Sequence, residues 1–269
     1  MTPNLDAPVL GGPREASIPV SGDGRLWAER VGTGSPVVLL HGAGMDSRLW
    51  ERIVPELARY HDVVRYDARG LGRSTPPNKP FNDVDDLRAV LDYFGLRRAA
   101  LVGLSMGGES ALDFALTHPA RVAALALVGA SVSGHRWPQE PDLSAYATAR
   151  RERDVSALAE LELSIWAGMG PTAPGWELID AMVTHNAARR IVSEQQCVTG
   201  QNAEAHLADI AAPTLVVHGD RDHPEIGVIA RLLAARIPDT HAVTIPNADH
   251  YLPLRTPEAL TEVLLEHLP

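Results

Sequence analysis

The sequence predicts an α/β protein, a doubly wound, mostly parallel sheet carrying a helical insertion. Three observations predict it. Short apolar runs of the β type alternate along the chain with segments of helical periodicity. Those runs lack the polar alternation of a half-exposed sheet, as expected of parallel strands covered by helices on both faces. Between about 132 and 206 the alternation stops, and only helical segments occur.

In chain order, residues 1–15 are rich in Pro, Gly and charge and read as a loose arm. The strand "SPVVLL" (35–40) is followed by a helix over "SRLWERIVPELARY" (47–60), and the strand "DVVRYD" (62–67) by "NDVDDLRAVLDYFG". In that helix Val84, Leu87, Leu91 and Phe94 recur at three- and four-residue spacing, on one face, and Gly95 supplies a C-cap. "AALVGL" precedes the helix "GESALDFALTHP", and "VAALALVG" (122–129) closes the first half. The interruption holds two helices, "VSALAELELSIWAGM" and "GWELIDAMVTHNAARRIV", the second with Trp176, Ile179 and Val183 on one face. Alternation resumes with "APTLVVHGD" (212–220), "IGVIARLLAARI", "HAVTI" and "TPEALTEVLLEHL", where Thr256-Pro257-Glu258 is a helix-start signal. The core is thus assigned to 1–131 and 207–269, and the insertion to 132–206.

Composition narrows the function. With 269 residues and 45% hydrophobic content the chain can bury a full core. A net charge of −10 argues against nucleic acid as a partner, since phosphate binding needs clustered cations. The one lysine, Lys79, lies in a proline-rich loop, leaving Schiff-base chemistry a single candidate. The one cysteine, Cys197, rules out an intrachain disulfide and a multi-cysteine metal site. No secretory signal and no run near the roughly 18 apolar residues of a membrane span is present, so a cytoplasmic protein without a membrane partner is expected.

The chemistry is sought where strands end. In "GLSMG" (103–107) Ser105 follows an apolar strand and precedes a helix. Flanking glycines remove side chains that would clash in a sharp turn, leaving the hydroxyl exposed at the carboxyl edge of the sheet. The alternative is a structural turn serine. A serine nucleophile needs a histidine base and an orienting acid, in the order serine, acid, histidine on such an elbow. Among 11 histidines, His250 falls in the loop between the last strand and the last helix, at the edge that carries Ser105. His118 and His267 are expected at the surface, and His185 and His206 belong to the insertion. For the acid, "VVHGDRDHP" offers Asp220 and Asp222, while "LVGASVSG" (127–134) offers none. Asp222 lies further into its loop and is preferred; Asp220 is the alternative, shaping the turn. The N–H groups of Met106 and, from "HGAG" (41–44), of Ala43 are the expected oxyanion donors. A tight turn with a structural His41 is the competing reading of "HGAG".

Together "HGAGMDSRLW", "RYDARGLGRS", "LVGLSMGG", "HGDRD" and "ADHYLPLRTPE" resemble the α/β-hydrolase superfamily, in particular its single-domain esterases, enol-lactone hydrolases, perhydrolases and carbon–carbon bond hydrolases. The resemblance covers residues 18–131 and 207–269. It implies the α/β-hydrolase fold, Ser105 as nucleophile, His250 as base, Asp222 as acid, Ala43 and Met106 as oxyanion-hole positions, and a structural role for Asp67–Ser74. A serine at 105 excludes relatives that use aspartate there. The insertion at 132–206 matches the family's lid, where Trp137, Trp166 and Trp176 either line a substrate pocket or fill the core. The expected activity is hydrolysis of a small or medium hydrophobic ester or lactone, with no metal and no organic cofactor and with activity falling as pH drops through the range in which a histidine protonates, about 6 to 7. The alternatives are a carbon–carbon bond hydrolase of a diketone or dienoate, and a non-hydrolytic cyclase or ligand receptor on the same scaffold. A homodimer is the assembly that this reading allows.

Overall fold

The computed structural model describes residues 12–137, 143–193, 197–198, 200 and 202–269. Among them eight strands form one sheet: β1 (Arg14–Val20), β2 (Gly24–Gly32), β3 (Ser35–Leu40), β4 (His61–Tyr66), β5 (Ala99–Leu104), β6 (Val122–Val128), β7 (Thr214–Gly219) and β8 (Thr240–Ile245). Their order is β1-β2-β4-β3-β5-β6-β7-β8. β2 is antiparallel to both neighbours, and every pair from β4 onward is parallel.

Both faces of the parallel region are covered, which is why its strands read as unbroken apolar runs. Val37, Leu39 and Val102 face a core that holds Trp50, Ile179 and Leu260. Val38, Leu40 and Leu101 face another, built on Phe114, Leu87 and Ile229. The first two strands carry no signal in the sequence. They sit at the antiparallel edge and include charged residues, so no continuous apolar run marks them. The last two residues of the expected arm, Arg14 and Glu15, already pair with Arg30 and Glu29 in the sheet; residues 1–11 of that arm lie outside the described residues.

After β3 the chain forms a 3₁₀ turn over Ser47–Trp50 and the short helix α1 (Val54–Leu57). The single helix expected over 47–60 is broken there because Pro55 has no N–H to donate back along it. α2 (Asp83–Tyr93) starts where Asn82 Oδ1 accepts the Val84 N–H at 2.7 Å, and buries Leu87, Val90 and Leu91. It ends at Gly95, whose φ of +68° favours a residue without a Cβ. α3 (Met106–Thr117) follows β5 with Ser105 as the sole link. Between β6 and β7 the chain leaves the sheet through α4 (Leu143–Glu152), α5 (Val155–Trp166) and α6 (Trp176–Ser193). α7 (Pro224–Arg236) connects β7 to β8, and α8 (Leu252–Arg255) and α9 (Pro257–His267) end the chain. Among the described residues no helix is long and apolar enough to cross a membrane.

Register places the site. Leu40 of β3 pairs with Gly103 of β5, Leu104 with Val128 of β6, Val128 with Val217 of β7, and Gly219 with Ile245 of β8. Strand ends that are level in this way bring the loops after β3, β5, β6, β7 and β8 to one edge of the sheet, at its carboxyl ends.

Candidate active site

Ser105 has φ 54° and ψ −119°, a backbone state that residues with a Cβ rarely adopt. The turn is held by Ser105 N–H donating to Val128 O at 3.1 Å and by Ser131 N–H donating to Ser105 O at 3.2 Å. Its glycines are required by close backbone approach. A Cβ at Gly103 would lie 2.3 Å from Gly107 O, and one at Gly107 would lie 2.3 Å from Leu40 O. α3 begins at the next residue, so its unpaired N–H groups point toward the crest that carries the hydroxyl. Behind the turn, burial pushes the Glu109 carboxyl up, against the opposing hydrogen bond from Ser131 Oγ at 2.9 Å.

The "HGAG" turn packs directly on this elbow. A Cβ built at Gly42 would come within 3.1 Å of Ser105 Cβ. His41 fixes the turn from below: Nδ1–H donates to Gly42 O at 2.9 Å and Nε2 accepts the Ala68 N–H at 2.9 Å. His41 is therefore structural, and that does not compete with a donor role for the backbone at Ala43. Among the described residues neither Ala43 N–H nor Met106 N–H has a protein acceptor, and both residues line one cavity of about 80 Å³. The "DARGLGRS" segment acts as scaffold: Asp67 accepts the Ser47 and Arg73 N–H groups, each at 2.8 Å, and buried Arg69 pairs with Asp86.

His250 and Asp222 meet across the exits of β8 and β7. Nδ1 of His250 lies 3.0 and 2.9 Å from the two Asp222 carboxylate oxygens, and each side chain is 1% exposed. Asp222 Oδ1 also accepts the His223 N–H at 2.7 Å. Asp220 instead faces the turn, with Ala248 N–H 3.4 Å from its Oδ1. The exit of β6 reaches the pair through Gly129, whose φ is +49°; a Cβ added there would stand 3.1 Å from Asp222 Oδ2 and 3.3 Å from His250 Nδ1. Val128 O accepts the Ser105 N–H and Gly129 packs against the histidine–aspartate pair, so adjacent residues touch both halves. Among the described residues no hydrogen bond joins Ser105 Oγ to His250; such bonds commonly tighten only when substrate binds.

Of the three candidate pocket tryptophans, two converge here. Trp166, at the end of α5, lies against His250 with ring centroids 4.5 Å apart and planes tilted by 34°, and meets Trp137 edge-on at 6.2 Å. His223 lies 5.6 and 5.7 Å from those two indoles, a neighbour that the sequence does not single out. Trp176 is not brought to this ring cluster; it packs half-buried against the core beside Leu178 and Ile179. His267, expected at the surface, is half-buried, donating from Nε2 to Leu125 O at 2.8 Å, and burial lowers its pKa. Another feature invisible in the sequence steadies the loop of His250. Asp249, fully buried, accepts from Arg255, from Tyr251 N–H and from Met169 N–H of the excursion between β6 and β7, while Arg255 reaches Pro174 O at 2.7 Å. Sequence spacing carries no signal for such a contact between distant segments.

A model of the alpha/beta hydrolase family matches residues 37–263. The chain is 32% identical over 210 residues to 2-hydroxymuconate semialdehyde hydrolase of a Pseudomonas species, covering 71% of each chain. It is 27% identical to pimeloyl-[acyl-carrier protein] methyl ester esterase of Chromobacterium violaceum, over 90% of this chain and 98% of that one. Among solved structures it superposes on a thermophilic esterase from Thermogutta terrifontis with a TM-score of 0.78 and 27% identity, covering 94% of this chain and 97% of the other.

Proposed function

The chain belongs to the alpha/beta hydrolase family, and from that premise we propose that it is a serine hydrolase of small or medium hydrophobic carboxylic esters or lactones. The observation that carries the reading is the buried His250–Asp222 pair at the sheet edge that also bears the strained Ser105. In this reading His250 Nε2 takes the Ser105 proton as Oγ attacks the acyl carbon. Asp222 keeps the proton on Nδ1 and stabilises the imidazolium that forms. Met106 and Ala43 N–H groups stabilise the oxyanion, a contribution of about 3 kcal/mol for each donor. The alcohol leaves with the proton from His250, and water activated by the same ring hydrolyses the acyl-enzyme. The helices between β6 and β7 act as a lid, with Trp137 and Trp166 beside the reacting centre. The esterase from Chromobacterium violaceum and that from Thermogutta terrifontis support the ester substrate class.

A fluorophosphonate probe tests this. Wild type should be labelled at Ser105 and Ser105→Ala should not; an unlabelled wild type, or equal labelling of the variant, overturns the reading. The 32% identity to a 2-hydroxymuconate semialdehyde hydrolase supports carbon–carbon bond hydrolysis as the second reading. Parallel turnover of an aryl ester and a dienoate separates the two.

A further inference from the structure

The cavity beside Ala43 and Met106 also has Leu71, Phe81, Asp83 and Arg190 in its wall. Its volume of about 80 Å³ leaves room for about three groups the size of a water or methylene. The wall is mainly apolar, and its two arginines already hold carboxylates: Arg69 pairs with Asp86 and Arg190 with Glu162. Asp83 differs from them. Among the described residues the side-chain hydrogen bond made to it is the weak one from the Cys197 thiol to Oδ2 at 3.5 Å.

Among the described residues no stronger side-chain donor reaches Asp83, and the charges around it disfavour its ionised form. Asp86 on the same helix and Asp113 and Glu109 on α3 are like charges, Tyr66 of β4 adds a buried phenol, and Arg69 is the cation that opposes them. Burial, with Asp86 next in importance, pushes the Asp83 carboxyl up to about 6. A group in this condition gains more than an ordinary surface carboxylate from a hydrogen-bond donor brought into the cavity.

We propose that this cavity is the acyl subsite of the hydrolase and takes a short acyl chain bearing a hydroxyl, which donates to Asp83. The proposal rests on the serine-hydrolase reading above and adds the substrate class to it. The size of the cavity sets the length limit, the shared wall with Ala43 and Met106 places the acyl group next to the oxyanion donors, and Asp83 selects the hydroxyl.

The test compares 4-nitrophenyl 3-hydroxybutanoate with 4-nitrophenyl butanoate, each kcat/KM divided by the alkaline hydrolysis rate of that ester. Wild type should prefer the hydroxyacyl ester by about tenfold or more at pH 8. The preference should shrink toward pH 5 as the carboxyl protonates, and titration of the catalytic base cancels in the ratio. Asp83→Ala should bring the ratio near one and Asp83→Asn should leave an intermediate value, since its amide oxygen still accepts. A wild-type ratio near one, or a ratio that survives both substitutions, overturns the proposal. If Asp83→Ala does not fold, Asp83→Asn and the wild-type pH profile decide the proposal in the same way. Failure of Ser105 to take the phosphonate would sink the serine mechanism, whereas a labelled Ser105 with no hydroxyl preference sinks the subsite alone.

Discussion

Gly129→Ala is the sharpest test of how this site is held together. The residue belongs to neither half of the proposed catalytic machinery, yet its φ is +49° and it lies against the histidine–aspartate pair. An alanine there meets two costs. The left-handed backbone costs about 1–2 kcal/mol for a residue with a Cβ, which for a chain of this size lowers the melting temperature by about 2–8 °C. The new methyl carbon would also sit 3.1 Å from Asp222 Oδ2, 3.3 Å from His250 Nδ1 and 3.4 Å from His250 Cε1. These contacts are tight, and the carboxylate and ring are 1% exposed with little room to retreat. A displacement of a few tenths of an ångström in a positioned base should cost about tenfold in kcat, given that about 1 Å costs a hundredfold. The assay is kcat and KM on an aryl ester beside a calorimetric melt. A lower kcat with KM little changed is the expected result. A variant that melts lower but turns over at the wild-type rate would refute the claim that Gly129 sets the geometry of the pair.

Asp222→Asn should lower kcat by about a thousandfold or more, because an amide cannot hold the proton on His250 Nδ1 in the same way, whereas Asp220→Asn should stay within about threefold since Asp220 faces the turn; similar losses in both variants would mean that the two carboxylates are misassigned. Arg255→Met leaves the buried Asp249 carboxylate without its cation and should destabilise by about 3–5 kcal/mol in urea unfolding. A loss under about 1 kcal/mol would show the pair to be dispensable. Burial lowers the pKa of His61, His218 and His267. Below the unfolded value of about 6.5 the unfolded chain therefore holds more protons, and the stability present above it is lost as pH falls through the folded values. The melting temperature of His267→Gln should accordingly change less between pH 7.5 and pH 5 than that of wild type; an unchanged difference would remove His267 from this effect.

Much of the fold is legible in the sequence because parallel strands buried on two faces are written as continuous apolar runs. "SPVVLL" coincides with β3, and the runs at 62–67, 122–129 and 212–220 fall within one or two residues of β4, β6 and β7. The antiparallel edge is not legible, since β1 and β2 place charged residues on strands that only pairing identifies. Nor is α4. Its segment is polar on average, and it packs on α5.

The site divides along the same line. Local backbone demands are carried by local sequence: the glycines around Ser105 and the turn glycines of "HGAG" follow from what a strand-to-helix or strand-to-loop turn can accept. Together with the order serine, acid, histidine of such an elbow and the family resemblance, that is sufficient to nominate Ser105, Asp222, His250, Ala43 and Met106 from the sequence. Contacts between segments distant in the sequence were decided only in three dimensions. Trp166 could be placed on His250, Trp176 laid half-buried against the core, and Asp83 brought to the wall shared by Ala43 and Met106 only after strand register and helix packing had fixed where each side chain points. The physical reason is range. Backbone geometry is settled within a few residues of the sequence, while the environment of a side chain is settled by whatever distant segment the close-packed core presses against it.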